Sequence, residues 1–266
     1  MRLALWQTQG FPADINANLL ALDVQLRAAA VAGAQLLLCP ELWLGGYQVP
    51  QQMAALAEDA DGPSAQRIAE LCRSYGVAVC YGYAERHEDG QRPYNAAQLI
   101  DADGQRLANY RKTHLFGAME HELFTPGDCL QAPVEWLGWR IALLICFDVE
   151  FPETVRTHAL AGAELVLIPT ALTPEYRTVP ELIVPTRAVE NQLFVAYCNH
   201  SGVENGLVFL GGSCVAAPNG ERLGVLAGGE GLLLIDLDRA PREQWRAQFP
   251  YLEGRRPALY GALVTR

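Results

Sequence analysis

The sequence predicts an α/β protein whose strands form a two-layer sheet core covered by helices. Three features point there: short continuous apolar runs such as QLLLC and ELVLIP, segments between them with apolar residues at helical spacing, and a hairpin signal at Asp103-Gly104. Continuous apolar runs suit strands buried on both faces, whereas a hairpin needs antiparallel neighbours, so the sheet is expected to be mixed. Strand-like segments outnumber helical ones, and layered sheets under helices bury both kinds of apolar face.

The elements follow in order. MRLALWQTQG has the alternating character of a first strand. A helix is expected from Asp14, a suitable N-cap, to Gly33, with Ile15, Leu19, Leu22, Leu26 and Ala30 on one face. Gln35 to Cys39 reads as a buried strand closed by Pro40, and Ser64 to Tyr75 as a helix ended by Gly76. The strand VAVCYGYAER comes next, and YNAAQLID and QRLANYRK flank the Asp103-Gly104 turn. RIALLIC, a helix beginning near Pro152, ELVLIPT, a helix from about Arg187 to Gln192, and LFVAYCN repeat a strand–helix–strand rhythm. GLVFLGGSCVAAPNGERLGVL and GLLLIDL close the pattern as hairpin-like pieces. No repeat, low-complexity tract or linker divides residues 1–266, which predicts a single domain.

Composition narrows the class. A chain of 266 residues, half of them hydrophobic and 19% charged, can bury a full core and reads as soluble and globular. A net charge of −10 argues against a nucleic-acid partner, because phosphate binding relies on clustered Lys and Arg. The acidic surface mildly favours cationic ligands and otherwise serves solubility. The N-terminal apolar run is too short for a signal peptide, and no stretch approaches the ~18 to 20 apolar residues that cross a bilayer, so no membrane partner is expected. The expected compartment is the cytoplasm. The seven cysteines fit it, being odd in number, scattered, and mostly set in apolar runs as reduced, buried thiols.

In sheets with parallel strands, ligands gather where strands end and loops begin. Glu41 lies just past QLLLC and Pro40, Cys146 closes RIALLIC, and Thr170 follows ELVLIP. A carboxylate and a thiol at such exits can act as base and nucleophile, since the thiolate is the reactive form. Each residue also has an ordinary reading: Glu41 as a solvated loop carboxylate, Cys146 as one of seven packing thiols, and Lys112 in NYRKTHLF as a surface lysine. Competing motifs fail. His121-Glu122 starts like a zincin site, but Thr125 stands where the second histidine is needed. No Cys-x-x-Cys pair is present, Gly211-Gly212-Ser213 lacks the glycine of a nucleophile elbow, and there is no phosphate-cradling loop. His114 is better placed to brace the loop by hydrogen bonding than to serve as the base.

Three blocks together resemble the nitrilase superfamily of carbon–nitrogen hydrolases: LLLCPELWLGGY around Glu41, YRKTHLFGAMEHELFTPGD around Lys112 and LLICFDVEFPE around Cys146. The likeness continues in order through ELVLIPTAL, RAVENQLFVAYCN and GGSCVAAPNG. It implies an αββα sandwich of two mixed sheets, a homodimer or higher homo-oligomer, and a C-terminal extension, residues 238–266, that reaches a partner. It also implies Cys146 as nucleophile, Glu41 as general base, Lys112 as oxyanion stabiliser and Glu120 as the second glutamate that orients substrate and attacking groups. The Phe147 main-chain N–H is the implied second oxyanion donor, with Thr170 in the same substrate-binding region. Phe147 departs from the tyrosine or glycine of many relatives, which matters little for a backbone donor. No metal or organic cofactor is implied.

Within the superfamily the chain looks most like amidases acting on small ω-amino carboxamides, 5-aminopentanamidases in particular, with stereoselective amidases for cyclic amino carboxamides close by. Nitrile hydrolysis and N-carbamoyl hydrolysis share the same catalytic set and stay open as alternatives. A non-catalytic binding module with the same fold is the alternative of another class.

Overall fold

The computed structural model describes residues 1–263, so the last three residues of the 238–266 extension lie outside the described residues. The first half of the chain forms β1 (Arg2–Gln7), α1 (Ile15–Val31), β2 (Leu36–Leu38), α2 (Met53–Leu56), α3 (Pro63–Tyr75), β3 (Ala78–Glu85), β4 (Tyr94–Ile100), β5 (Arg106–Arg111) and α4 (Gly117–Leu123). The second half forms β6 (Val134–Trp136), β7 (Trp139–Leu143), α5 (Pro152–Leu160), β8 (Leu165–Thr170), α6 (Val184–Asn191), β9 (Phe194–Asn199), β10 (Val203–Glu204), β11 (Leu207–Val208), β12 (Cys214–Ala216), β13 (Arg222–Val225), β14 (Gly231–Asp236) and α7 (Ala240–Gln248).

Two six-stranded mixed sheets result, ordered β14-β1-β2-β3-β4-β5 and β13-β12-β9-β8-β7-β6. The central strands β1, β2 and β3 run parallel, as do β7, β8 and β9. β4 pairs antiparallel with both β3 and β5, so β5 runs in the direction of β3. Leu3, Leu5, Leu36 and Leu38 point into one cluster with Ile141, Leu143, Leu165 and Leu167, which is the layer between the sheets. The alternate residues Ala4, Trp6, Leu37 and Cys39 pack under α1 and α3 through Leu22, Leu26, Ile68 and Cys72. Both faces of these strands are therefore buried, which is why they read as unbroken apolar runs. This is the αββα sandwich expected from the sequence.

Local chemistry sets the helix ends. Asp14 caps α1, its carboxylate accepting from Ala17 N at 2.9 Å. Gly76 ends α3 with φ of 66°, a left-handed cap that costs a glycine nothing. Three expectations need correction. β7 stops at Leu143, so Cys146 does not close it but opens a 3₁₀ turn, Cys146–Glu150. α6 starts at Val184, continuing from a π turn over Val179–Ile183, and Gln192 is its left-handed cap rather than its last residue. GLLLIDL forms no hairpin with its neighbour: β14 crosses to the other sheet and pairs with β1, Arg2 opposite Asp236. On α1 the buried residues are Asn18, Leu22, Leu26 and Ala29, with Ile15 and Leu19 only half-buried. Asn18 is drawn inward because its amide donates to Phe11 O and Leu44 O while its oxygen accepts from Phe11 N.

Among the described residues no helix is long and apolar enough to cross a membrane. Six cysteines are buried thiols and Cys129 is exposed.

Candidate active site

The carboxyl ends of the two sheets meet at one edge of the sandwich. Glu41 N donates to Thr170 O at 3.4 Å, the His200 imidazole Nε2 lies 2.6 Å from Glu41 O, and Thr8 and His200 form a parallel bridge between the sheets. Burial drives the His200 pKa down to about 4, so it sits there as a neutral imidazole donor. Glu41 follows β2, Lys112 follows β5, Thr170 ends β8 and Cys146 stands three residues past β7. The topology thus brings to one place side chains that are far apart in the chain.

Lys112 is the only lysine in the sequence and is wholly shielded from solvent. Its ammonium donates to Glu41 Oε1 at 2.7 Å and to both oxygens of Glu120 at 2.8 Å. Glu41 and Glu120 are equally buried. A lone buried ammonium would lose its proton, but the two carboxylates outweigh the desolvation and hold the Lys112 pKa well above its ordinary value. Glu120 is oriented further by Tyr47 OH at 2.8 Å and by Phe116 N at 2.8 Å. Asn95 donates to Glu41 Oε1 at 2.7 Å.

This division leaves the other oxygen of Glu41 unused. Oε2 is buried and without a hydrogen-bond partner. Burial raises the Glu41 pKa above the usual carboxylate range, and Glu120 adds to it, while Lys112 and Asn95 oppose. A carboxylate so placed has both a vacant lone pair and an enhanced affinity for a proton.

Cys146 adopts φ of 45°, a left-handed conformation that costs a residue with a Cβ about 1–3 kcal/mol. Asp148 fixes the turn that holds it. Its Oδ2 accepts from Ile145 N at 3.0 Å and Tyr110 OH at 2.9 Å, while Oδ1 accepts from Thr113 Oγ1 and His114 N, each at 3.0 Å. His114 Nδ1 lies 2.9 Å from the same oxygen, and its ring stacks on Phe151, matching the bracing task expected of it. Burial, then the Glu41 charge, raises the Cys146 thiol pKa, with Lys112 and contact with Thr170 opposing. The resting thiol is neutral, and its proton must leave as the sulfur attacks. The first hydrogen bond of the turn is Asp148 N to Ile145 O, so the Phe147 N–H precedes it and has no acceptor within the turn.

A cavity of ≈ 240 Å³ opens over Cys146. Phe116, Met119, Phe147, Leu172, Tyr176 and Leu207 supply much of its wall. Phe147 therefore contributes more than its backbone, its ring meeting Phe116 edge-on at 5.2 Å and Phe151 at 5.0 Å. Thr170 lies outside the cavity wall and hydrogen bonds to Tyr197 OH at 2.8 Å. All six residues singled out in the sequence converge on this edge. Asn95, Tyr47 and Asp148 were missed, and only the solitary lysine offered an unused signal in the sequence. Among the described residues no group of three His, Cys, Asp or Glu is arranged to hold a metal ion.

A buried thiol beside a carboxylate with a free oxygen and an ammonium, at the floor of an apolar cavity, is the equipment of a thiol-dependent hydrolase. Residues 2–247 match the carbon–nitrogen hydrolase family model. The chain is 47% identical to a hydrolase encoded in the pqqF 5′ region of Pseudomonas protegens, over all of this chain and 93% of the relative. It is 36% identical to an (R)-stereoselective amidase of a Pseudomonas species, over 98% and 93%. NitN amidase of Nesterenkonia sp. AN1 superposes with a TM-score of 0.88 at 41% identity, covering 99% of both chains. One variant of that Nesterenkonia enzyme carries the acetamide moiety of fluoroacetamide covalently added to its active-site cysteine. The chain belongs to the carbon–nitrogen hydrolase family, the nitrilase superfamily, and falls with its amidase branch.

Proposed function

We propose that this carbon–nitrogen hydrolase cleaves a small aliphatic carboxamide, an ω-amino amide such as 5-aminopentanamide, to the carboxylic acid and ammonia. The observation that carries the reaction is the free Oε2 of Glu41 in a cluster with Lys112, Glu120 and the Cys146 thiol. Cys146 Sγ attacks the amide carbon as its proton passes to Glu41 Oε2, forming the C–S bond and moving the carbonyl electron pair onto oxygen. The Lys112 ammonium and the Phe147 N–H face that oxyanion, and one such donor is typically worth about 10²–10³ in rate. Collapse breaks the C–N bond, the nitrogen takes the proton from Glu41, and ammonia leaves behind a thioester. Water, losing a proton to Glu41, adds to the thioester, and the C–S bond breaks as Cys146 recovers its proton. Glu120 holds Lys112 in place throughout, and Thr170 steadies the thiol.

Purified protein incubated with matched amide, nitrile and N-carbamoyl compounds, read by ammonia and carbon dioxide release, tests the reading. Ammonia is expected from the amide, and Cys146→Ala should abolish it with the fold retained. Substantial turnover by Cys146→Ala would sink the nucleophile assignment. Absence of any covalent adduct on the wild-type cysteine by intact mass would favour a binding module instead. We also propose that residues 1–266 act as one catalytic domain in a homodimer. Tyr251, Leu259 and Leu263 of the C-terminal extension are exposed apolar side chains that a second copy could cover.

A further inference from the structure

The cavity over Cys146 carries two carboxylates in its wall, Glu150 and Glu175, and no Arg, Lys or His. An amide bearing its own carboxylate would meet only like charge there, whereas an ammonium would meet opposite charge in a partly desolvated wall. The two glutamates differ. Glu175 is exposed on the short 3₁₀ turn Pro174–Tyr176 at the rim. Glu150 is half-buried and ends the same turn that Cys146 begins. Among the described residues no hydrogen bond or ion pair engages its carboxylate, for the Arg187 guanidinium beside it donates to main-chain oxygens, Val149 O and Glu150 O, and pairs with Glu190.

We infer that Glu150 is the residue that receives the ammonium group of an ω-amino amide and so sets the specificity of this site. The inference rests on the amide reading above and adds its substrate-selecting residue. Anchor and nucleophile stand on one short turn. At the 3₁₀ rise of about 2 Å per residue, their backbones are separated by roughly 6–8 Å along it. Both residues line the one cavity, which a chain of several methylenes between the amide carbon and the ammonium would occupy. The apolar wall of Phe116, Phe147 and Leu172 suits those methylenes. Burial lifts the Glu150 pKa above the usual carboxylate range, with Lys112 and Arg187 opposing.

The test compares kcat/KM for 5-aminopentanamide and pentanamide, two amides of equal carbon length that differ in the terminal ammonium. Wild type should prefer the ammonium amide. In Glu150→Gln the preference should fall by about tenfold or more, mainly through KM, with Glu150→Asp retaining part of it and Glu175→Gln changing it less. A preference unaltered in Glu150→Gln overturns the inference and leaves the amide reading standing. Ammonia release from neither amide by wild type overturns both. A readout free of any variant is protection of wild-type Cys146 from alkylation by n-butylammonium against n-butanol. Stronger protection by the ammonium ion is expected, and equal protection overturns the anchor.

Discussion

The Lys112 ammonium sits 2.7 Å from Glu41 Oε1, and neither side chain reaches solvent. Lys112 therefore serves two carboxylates at once, since Glu120 grips the same nitrogen from the other side. The arrangement places a cation near the Cys146 thiol and occupies one oxygen of Glu41, leaving Oε2 without a partner among the described residues.

Lys112→Met follows directly. It leaves two buried carboxylates facing each other without their cation, a loss that typically costs about 3–5 kcal/mol of stability. It also removes the proposed oxyanion donor, so kcat should fall by about 10²–10³ or more. Urea unfolding and ammonia release measure the two effects separately. Lys112→Met/Glu120→Gln should recover part of the stability and none of the rate. Full stability in the single variant would contradict the charge cluster.

The pH profile reports Glu41. On the proposed route its ionised form accepts the thiol proton, and its pKa is raised by burial, with Lys112 opposing and Glu120 adding. Activity on a neutral amide should fall as pH drops through an acid limb placed above the ordinary glutamate value of about 4.3. An acid limb at or below 4.3 would remove Glu41 as the proton acceptor. Glu41→Gln should lose the limb along with about 10² or more of the rate.

Glu204 tests the scaffold beside the cavity. Its Oε1 accepts from Gln48 N at 2.8 Å, fixing the segment that carries Tyr47 onto Glu120, while Oε2 is buried without a partner. Gly46 lets that segment pass, because a Cβ there would lie 2.7 Å from Glu204 Oε1 on a backbone with φ of 102°. Burial raises the Glu204 pKa, the bonds from Gln48 and Tyr47 opposing. A carboxyl whose folded pKa exceeds its unfolded one contributes stability below the unfolded value and loses it as pH rises through the folded value. Glu204→Gln keeps an acceptor for Gln48 N without the charge. Its melting temperature should exceed that of wild type by a few degrees near pH 8, with the difference shrinking toward pH 5. A difference constant across that range would show that Glu204 does not titrate with folding.

What local interactions fix was legible in the residues themselves. β2, β3, β8 and β9 read as apolar runs because both their faces are buried, and Asp14 and Gly76 announced helix ends because capping involves only a few neighbours. The short α4 was not separable from loop, for its seven residues lack a periodic face long enough to detect. The Glu41, Lys112, Glu120 and Cys146 set was legible only jointly, through the order of its blocks, since each residue alone has an ordinary surface or core reading.

Residue patterning is enough to specify a mixed two-layer sheet core under helices and, through the order of the blocks, the candidate site residues. Tertiary structure alone decided their wiring. The Asn95 to Glu41 bond joins residues 54 apart, Lys112 to Glu41 spans 71, and Tyr47 to Glu120 spans 73. Contacts at such separations leave no periodic trace in a single chain, because they depend on which strands lie side by side rather than on neighbouring residues. The same holds for β14, whose partner β1 lies at the other end of the chain. It holds for the free oxygen of Glu41, which exists only because Lys112 and Asn95 both choose the other one.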